Sequence, residues 1–361
     1  EHYKQNVCQC IRQWHYTEAN RNSIDMMLAV NGIPVVAIEL KNQLTGQSVD
    51  DAMRQWEYNR NPKEYAFGFN KRVLAYFACD LYNVYMTTQL NGAETVFLPF
   101  NQGSNGAGKD GGAGNPTTED GKYVTSYFWE NVLQKDKLLD ILQKFISYER
   151  SEKKKIMPDG YHQLDVVRKL VSHVRENGAG HNYLIQHSAG SGKSNSIAWT
   201  AYRMASLHDE NNNPIFDSVI IVTDRRVLDQ QLQATVSGFD HTLGSVVTID
   251  EKKNSGDLRD AINDGKRIII STLQKFPVIY DEVHSSVGKH YAVIVDEAHS
   301  SQTGQSALKL KAALADVSDA LQEYAELEEK AVEEIEKNDP LVQEMLSQGK
   351  HQNMSFFAFT A

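Results

Sequence analysis

His187-Ser188-Ala189-Gly190-Ser191-Gly192-Lys193-Ser194 is the stretch on which the reading of this chain turns. The apolar run Tyr183-Leu184-Ile185 before it reads as a short buried strand, and Ile197-Ala198-Trp199-Thr200-Ala201 after it reads as a helix. A strand, a glycine-rich loop, a lysine, a hydroxyl residue and a helix together make a cradle for phosphate. Small residues let backbone N–H groups close around the anion, and the helix N-terminus adds a positive partial charge. Gly190, Ser191 and Gly192 form the cradle, Lys193 reaches the β- and γ-phosphates, and Ser194 holds Mg²⁺. His187 stands where the general pattern has its first glycine.

Downstream, apolar runs alternate with helical stretches. Val219-Ile220-Ile221-Val222-Thr223 leads into Asp224-Arg225-Arg226, Ile268-Ile269-Ile270-Ser271-Thr272 follows, and Tyr291-Ala292-Val293-Ile294-Val295 ends in Asp296-Glu297-Ala298-His299. Continuous apolar strands between helices predict a parallel sheet covered on both faces, with its active residues at the carboxyl ends of the strands. Asp296 is then placed to hold Mg²⁺ opposite the phosphate loop, and Glu297 to polarise an attacking water. Upstream, Gln163 precedes the helical stripe Leu164, Val167, Leu170, Val171; a glutamine carboxamide can pair with the N6 and N7 edge of adenine.

The amino-terminal part carries a second signal. Ile24–Val30 and Val35–Lys41 read as strands joined at the turn dipeptide Asn31-Gly32. Glu39 and Lys41 alternate onto one face. A two-residue loop pairs Val30 with Ile33 and sends Asp25 to the wrong face, whereas a three-residue loop sets Asp25 opposite Ala37 and beside Glu39. The odd-length loop, with Gly32 left-handed, is the expectation. Two carboxylates can hold Mg²⁺ at a phosphodiester, and a lysine can orient the water or stabilise the transition state. An edge-strand ion pair between Glu39 and Lys41 is the plainer alternative. A helix starts near Gln47-Ser48 with the stripe Val49, Ala52, Met53, Trp56; Gln55 flanks the stripe, and Tyr58 lies nearly opposite it.

The remaining text sets the boundaries. Val73–Phe100 is strand-rich, 101–118 is a Gly/Asn-rich surface loop, Leu133–Tyr148 is helical, and Lys153-Lys154-Lys155 before Met157-Pro158 reads as a solvated linker. This gives a first domain over 1–150, a linker over 151–160 and a second domain over 161–361, with an acidic helical insertion at about 316–350. The 361 residues, 23% charged and 41% hydrophobic, suit a two-domain globular α/β protein. A net charge of −10 argues against a chain coated for nucleic acid, but leaves local binding open. Cys8, Cys10 and Cys79 make neither a metal-ligand nor a disulfide pattern and point to a reducing, cytoplasmic setting. No apolar run approaches the roughly 18 residues that a membrane span needs. The chain starts without Met and reads as an internal fragment.

With these residues in hand, most of the chain resembles the restriction (motor and nuclease) subunit of type I restriction–modification enzymes. Asp25 with Glu39-Leu40-Lys41 resembles the D…E-x-K motif of PD-(D/E)xK nucleases. Gln55 and Tyr58 resemble the trailing Q-x-x-x-Y element, one residue short. Phe97–Asn101, Gly106-Ala107-Gly108, Gly112–Pro116 and Tyr161–Asp165 resemble further segments of the family. His187–Ser194 resembles superfamily 2 helicase motif I, Thr223-Asp224-Arg225 motif Ia, Ser271–Gln274 a DNA-contact motif, Asp296–His299 motif II, and Thr360-Ala361 the start of motif III.

The resemblance implies a PD-(D/E)xK endonuclease-like domain followed by a first RecA-like motor lobe, with a second lobe to follow. It implies ATP and Mg²⁺ as cofactors, with His299 and Thr360 coupling hydrolysis to lobe motion. Duplex DNA is the implied substrate, and methyltransferase and specificity subunits the implied partners. Three rivals stand beside it: a superfamily 2 translocase without nuclease activity, a P-loop ATPase that serves a protein partner and never touches DNA, and a non-enzymatic reading in which a fragment with one lobe binds ATP weakly and turns over little.

Overall fold

The computed structural model describes residues 2–118, 121–149, 154–188, 190–223, 230–238, 245–250, 252–278, 288–296, 310, 314 and 352–360. Contacts divide the chain into two units, Glu1–Ser147 with Lys155–Asp165, and Tyr148–Lys154 with Val166–Ala361.

The first unit is built on a six-stranded sheet in chain order: β1 (Cys8–His15), β2 (Ser23–Val30), β3 (Ile33–Leu40), β4 (Ala75–Cys79), β5 (Val84–Thr87) and β6 (Leu98–Pro99). Every neighbouring pair is antiparallel except β3 and β4, which run parallel from Val36↔Ala75 to Leu40↔Cys79. A parallel pair needs a crossover, and α1 (Val49–Tyr58) lies in it. Ser48 and Asp51 close a capping box at its start, and Asp80 at the end of β4 accepts from Val49 N at 2.9 Å. Val49, Ala52 and Trp56 are buried, and the indole of Trp56 donates to Phe77 O at 3.0 Å. Burial of each such side chain contributes about 1.5–3 kcal/mol. A further helix, α2 (Lys135–Lys144), follows.

The β2–β3 turn has two residues, not three. Asn31 (φ 52°) and Gly32 (φ 80°) are both left-handed, as a two-residue hairpin turn requires, and Val30 pairs with Ile33. That alone would carry Asp25 to the far face. The register, however, shifts between Leu28 and Ala29: Ala29 faces Pro34, while Leu28 faces Val36, so Val35 is an extra residue on β3. Pro34 has no N–H to give the ladder, which favours a bulge beside it. Beyond the bulge Met27 faces Ala37 and Met26 faces Ile38; the same register carried one step further sets Asp25 level with Glu39, and Leu40 N donates to Asp25 Oδ2 at 2.8 Å. The expected juxtaposition arises from a bulge in place of the odd-length loop.

The stretch read as a solvated linker is not one throughout. Lys155 is 4% exposed; its ammonium donates to Leu74 O at 2.9 Å and Thr88 O at 3.2 Å, over the ring of Phe69. Burial lowers its pKa to about 8. Lys155–Asp165 belong to the first unit by their contacts, and the short strands β7 (Ser147–Glu149) and β8 (Lys154–Ile156) mark where the chain passes between units. The Gly/Asn loop is knit together by its own backbone, with Gly103 N on Gly114 O at 2.8 Å and Ser104 N on Gly112 O at 2.9 Å.

Helix α3 (Tyr161–Asn177) spans the division. The second unit then carries β9 (Asn182–Gln186), α4 (Lys193–Ala205), β10 (Ser218–Thr223), α5 (Gln230–Gly238), β11 (Val246–Thr248), α6 (Ser255–Asn263), β12 (Ile268–Thr272), β13 (Tyr291–Asp296) and β14 (Met354–Thr360). The six strands form one parallel sheet in the order β11-β12-β10-β13-β14-β9. β10 and β12 are buried along their whole length, and Val222, Ile269, Val293, Leu258 and Phe276 share one apolar cluster. β9 departs from its reading as a buried strand: it lies at the sheet edge, and Leu184 is 76% exposed. Among the described residues no helix is long and apolar enough to cross a membrane.

Candidate functional site

Two groups of side chains stand out, one in each unit. In the first, Glu39 is fully buried near the end of β3. The Arg60 guanidinium, just past α1, holds its Oε1: Nε donates at 2.8 Å and Nη2 lies at 2.7 Å. Its Oε2 is buried with no hydrogen-bond partner. Asp25 is the neighbouring acid, near enough to accept a hydrogen bond from a protonated Glu39 and to repel its charged form. Asp25 itself is oriented twice, by Leu40 N on Oδ2 at 2.8 Å and by Gln13 Nε2 on Oδ1 at 3.2 Å. Lys41, one residue past β3, donates to Gln55 Oε1 at 2.6 Å, which ties the strand end to α1. Tyr58 points to solvent, 69% exposed.

A buried, unpartnered carboxylate oxygen beside a second carboxylate is a seat for a proton or a cation. Asp25 and Glu39 could therefore hold a metal ion between them. Two residues of this group were not singled out in the sequence, Arg60 and Gln13. Arg60 sits in Asn59-Arg60-Asn61-Pro62, where no spacing marks it. Gln13 has a left-handed backbone (φ 50°) within β1, unusual for a side chain of its size, and its Oε1 accepts from Ser23 Oγ at 2.7 Å.

Burial is the largest influence on Glu39 and pushes its carboxyl up to about 8; the Arg60 charge pulls it down, and Asp25 pushes it up again. A glutamate in the unfolded chain ionises near pH 4.3. At pH values below that, folded and unfolded forms are both protonated. Above it the unfolded chain gives up its proton first, so stability present at low pH is lost as pH rises toward about 8. At about 1.4 kcal/mol per pH unit, the loss amounts to a few kcal/mol. In the presence of EDTA, the first unit melts at a lower temperature at pH 8.5 than at pH 5.5, and Glu39→Gln flattens that slope in a calorimetric pH series.

In the second unit, α4 starts at Lys193 with Gly192 as its N-cap (φ 76°) and no side-chain cap, so its first N–H groups face the loop. Gly190 is also left-handed, at φ 76°, where a Cβ would strain the backbone. The Lys193 ammonium lies 3.0 Å from Asp296 Oδ1. The register explains the meeting: Asp296, at the end of β13, is level with Phe359 of β14, which is level with Ile185 of β9, just before the loop. His187, in the place of a glycine, is built into the loop: Nδ1 lies 2.9 Å from Ser191 Oγ, and its N–H donates to Thr360 O at 2.8 Å. Gln163 is fully buried in the first unit's part of α3, its Oε1 accepting from Asp159 N at 3.1 Å. Glu297, His299, Asp224-Arg225-Arg226, Ala361 and the acidic stretch at about 316–350 lie outside the described residues.

Residues 1–102 match the type I restriction enzyme R protein N terminus, and residues 162–319 match the SWI2/SNF2 ATPase. The type I restriction enzyme HindI endonuclease subunit of Haemophilus influenzae is 26% identical over 274 residues, which cover 72% of this chain and 24% of that protein. The putative type I restriction enzyme MjaVIIIP endonuclease subunit of Methanocaldococcus jannaschii is 26% identical over 232 residues, 59% of this chain and 20% of that protein. The chain thus spans about a quarter or less of the length of these relatives. The R-protein match takes in the segment with Asp25, Glu39 and Lys41, and the ATPase match takes in Lys193 and Asp296, so that over these two segments the chain is similar to the R (endonuclease) subunits of type I restriction enzymes.

Proposed function

We propose that the chain is the cutting and driving part of an ATP-dependent restriction endonuclease: a PD-(D/E)xK-like nuclease unit followed by a RecA-like motor lobe that translocates double-stranded DNA. The observation that carries this is the presence, in one chain, of a Lys193–Asp296 pair at the carboxyl ends of a parallel sheet and an Asp25/Glu39/Lys41 group on a separate sheet.

In the first unit, Asp25 and Glu39 would hold Mg²⁺, which supplies an activated water and charge neutralisation when bound. The orphaned Oε2 of Glu39 fits that role. Gln55 holds Lys41 by its ammonium, and strand alternation gives Lys41 the same face as Glu39, from which the lysine would stabilise charge on a phosphodiester. In the second unit, the N–H groups of the Gly190–Gly192 loop and the α4 N-terminus bind the phosphates. Lys193 exchanges the Asp296 carboxylate for the β- and γ-phosphates, which leaves Asp296 with Ser194 for Mg²⁺. Glu297 as water-polarising base and Gln163 as adenine reader rest on the sequence pattern, and His299 and Thr360 as coupling residues on the family resemblance. The partners proposed are the methyltransferase and specificity subunits that select the site.

The motor reading is tested by ATP hydrolysis of the complete protein with and without duplex DNA. Stimulation of tenfold or more is expected; a rate indifferent to duplex returns the chain to an ATPase that serves a protein partner.

A further inference from the structure

Arg60 does more than neutralise a buried acid. It is 5% exposed, and each arm of its guanidinium is engaged. Nε and Nη2 both grip Oε1 of Glu39, at 2.8 and 2.7 Å, Nη2 also donates to Ser23 O at 2.7 Å, and Nη1 donates to Asn59 O at 3.3 Å. The ring of Tyr16 lies 5.8 Å from its Cζ. The guanidinium is therefore fixed between the start of β2 and the end of α1, and Glu39 is fixed by it. Only Oε2 is left, fully buried and without a hydrogen-bond partner. We propose that Arg60 is a positioning residue that removes Oε1 of Glu39 from metal binding, so that the nuclease site holds one divalent cation per chain rather than two.

A pair of metal ions about 3.5–4 Å apart needs a carboxylate that can bridge with both oxygens and further acids on the outer sides. Glu39 cannot bridge, because its Oε1 accepts both Arg60 donors; Oδ2 of Asp25 already accepts from Leu40 N at 2.8 Å, which leaves it a single lone pair. Oδ1 of Asp25 has only the longer 3.2 Å bond from Gln13. Among the described residues no group of three or more His, Cys, Asp or Glu gathers to hold a metal ion. One Oε2 and one Oδ1, completed by water, suit a single Mg²⁺ or Mn²⁺, which keeps several waters in such sites.

The inference rests on the metal-site reading above, and the test separates the two. Mn²⁺ is titrated into the complete protein at fixed pH without nucleotide, with free Mn²⁺ read by electron paramagnetic resonance. One ion that disappears in Asp25→Ala is expected. Arg60→Lys and Arg60→Gln, checked for folding by their melting profiles, should each weaken that ion at least tenfold, because an ammonium cannot make the two-donor grip. Two Asp25-dependent ions in the wild type would overturn the proposal, and this readout needs no Arg60 variant to fold. So would wild-type affinity in both Arg60 variants. Mn²⁺ binding unchanged by Asp25→Ala would instead remove the metal-site reading and this inference with it.

Discussion

Asp25→Ala and Lys41→Ala, made separately in the complete protein and assayed with its methyltransferase and specificity partners, each lower double-strand cleavage of plasmid DNA by about 10³-fold or more, while ATP hydrolysis in the same preparations continues. The size follows from what each residue supplies. Removal of one charged group that acts on the transition state costs about 10²–10³-fold, and loss of a metal ligand adds the loss of the ion's own contribution. Asp25 neighbours Glu39 at the end of the β2–β3 ladder, and its two oxygens are aimed by Leu40 N and Gln13. Alanine leaves Glu39 Oε2 alone with a cation it cannot hold. Lys41 loses nothing structural beyond its bond to Gln55, so its variant should fold normally and bind Mn²⁺, yet fail to cut. Conversely, Tyr58→Phe should cut normally, since that side chain is 69% exposed. Cleavage that survives in both Asp25→Ala and Lys41→Ala would leave a translocase without a nuclease.

How much of this the residues announced depends on how local each cause is. The phosphate loop was legible because its chemistry is contiguous: glycines that take φ near 76°, then the lysine, then the helix. The parallel strands were legible because burial on both faces demands unbroken apolar runs, as in β10 and β12. The hairpin was legible in outcome and wrong in cause. Asn31-Gly32 asked for a two-residue turn, and the geometry that brings Asp25 to Glu39 needed a compensating bulge. Pro34 was the available signal, a strand residue that cannot donate. Arg60 and Gln13 were not legible, because each acts on an acid far along the chain, 21 and 12 residues away, and no periodicity encodes such a meeting. Lys155 was hidden by its neighbours. In a run of three lysines only a view of β4 and β5 shows that one of them turns inward to two carbonyl oxygens. β9 failed for a similar reason: Tyr183-Leu184-Ile185 is apolar enough for a central strand, but sheet order makes it an edge.

Lys193→Ala should abolish ATP hydrolysis, by about 10³-fold at saturating ATP, and should abolish cleavage with it although every residue of the Asp25 group is intact. Lys193 and Asp296 stand 3.0 Å apart. One ammonium serves two anions in turn, the carboxylate without nucleotide and the terminal phosphates with it. Alanine removes the charge that draws the phosphates into the loop and also leaves Asp296, 13% exposed, without its cation. Nucleotide binding, read with a fluorescent ATP analogue, weakens at least tenfold, since the backbone cradle of Gly190–Gly192 remains but its counter-charge does not. Ser191→Ala is the informative control. It breaks the 2.9 Å contact with His187 and leaves Lys193 in place, so a modest loss is expected from it. Hydrolysis lost equally in both variants would mean that loop shape, rather than the lysine's charge, sets the rate. Plasmid cleavage that persists in Lys193→Ala would mean that cutting does not wait for the motor, and the two units would then work as independent enzymes on one chain.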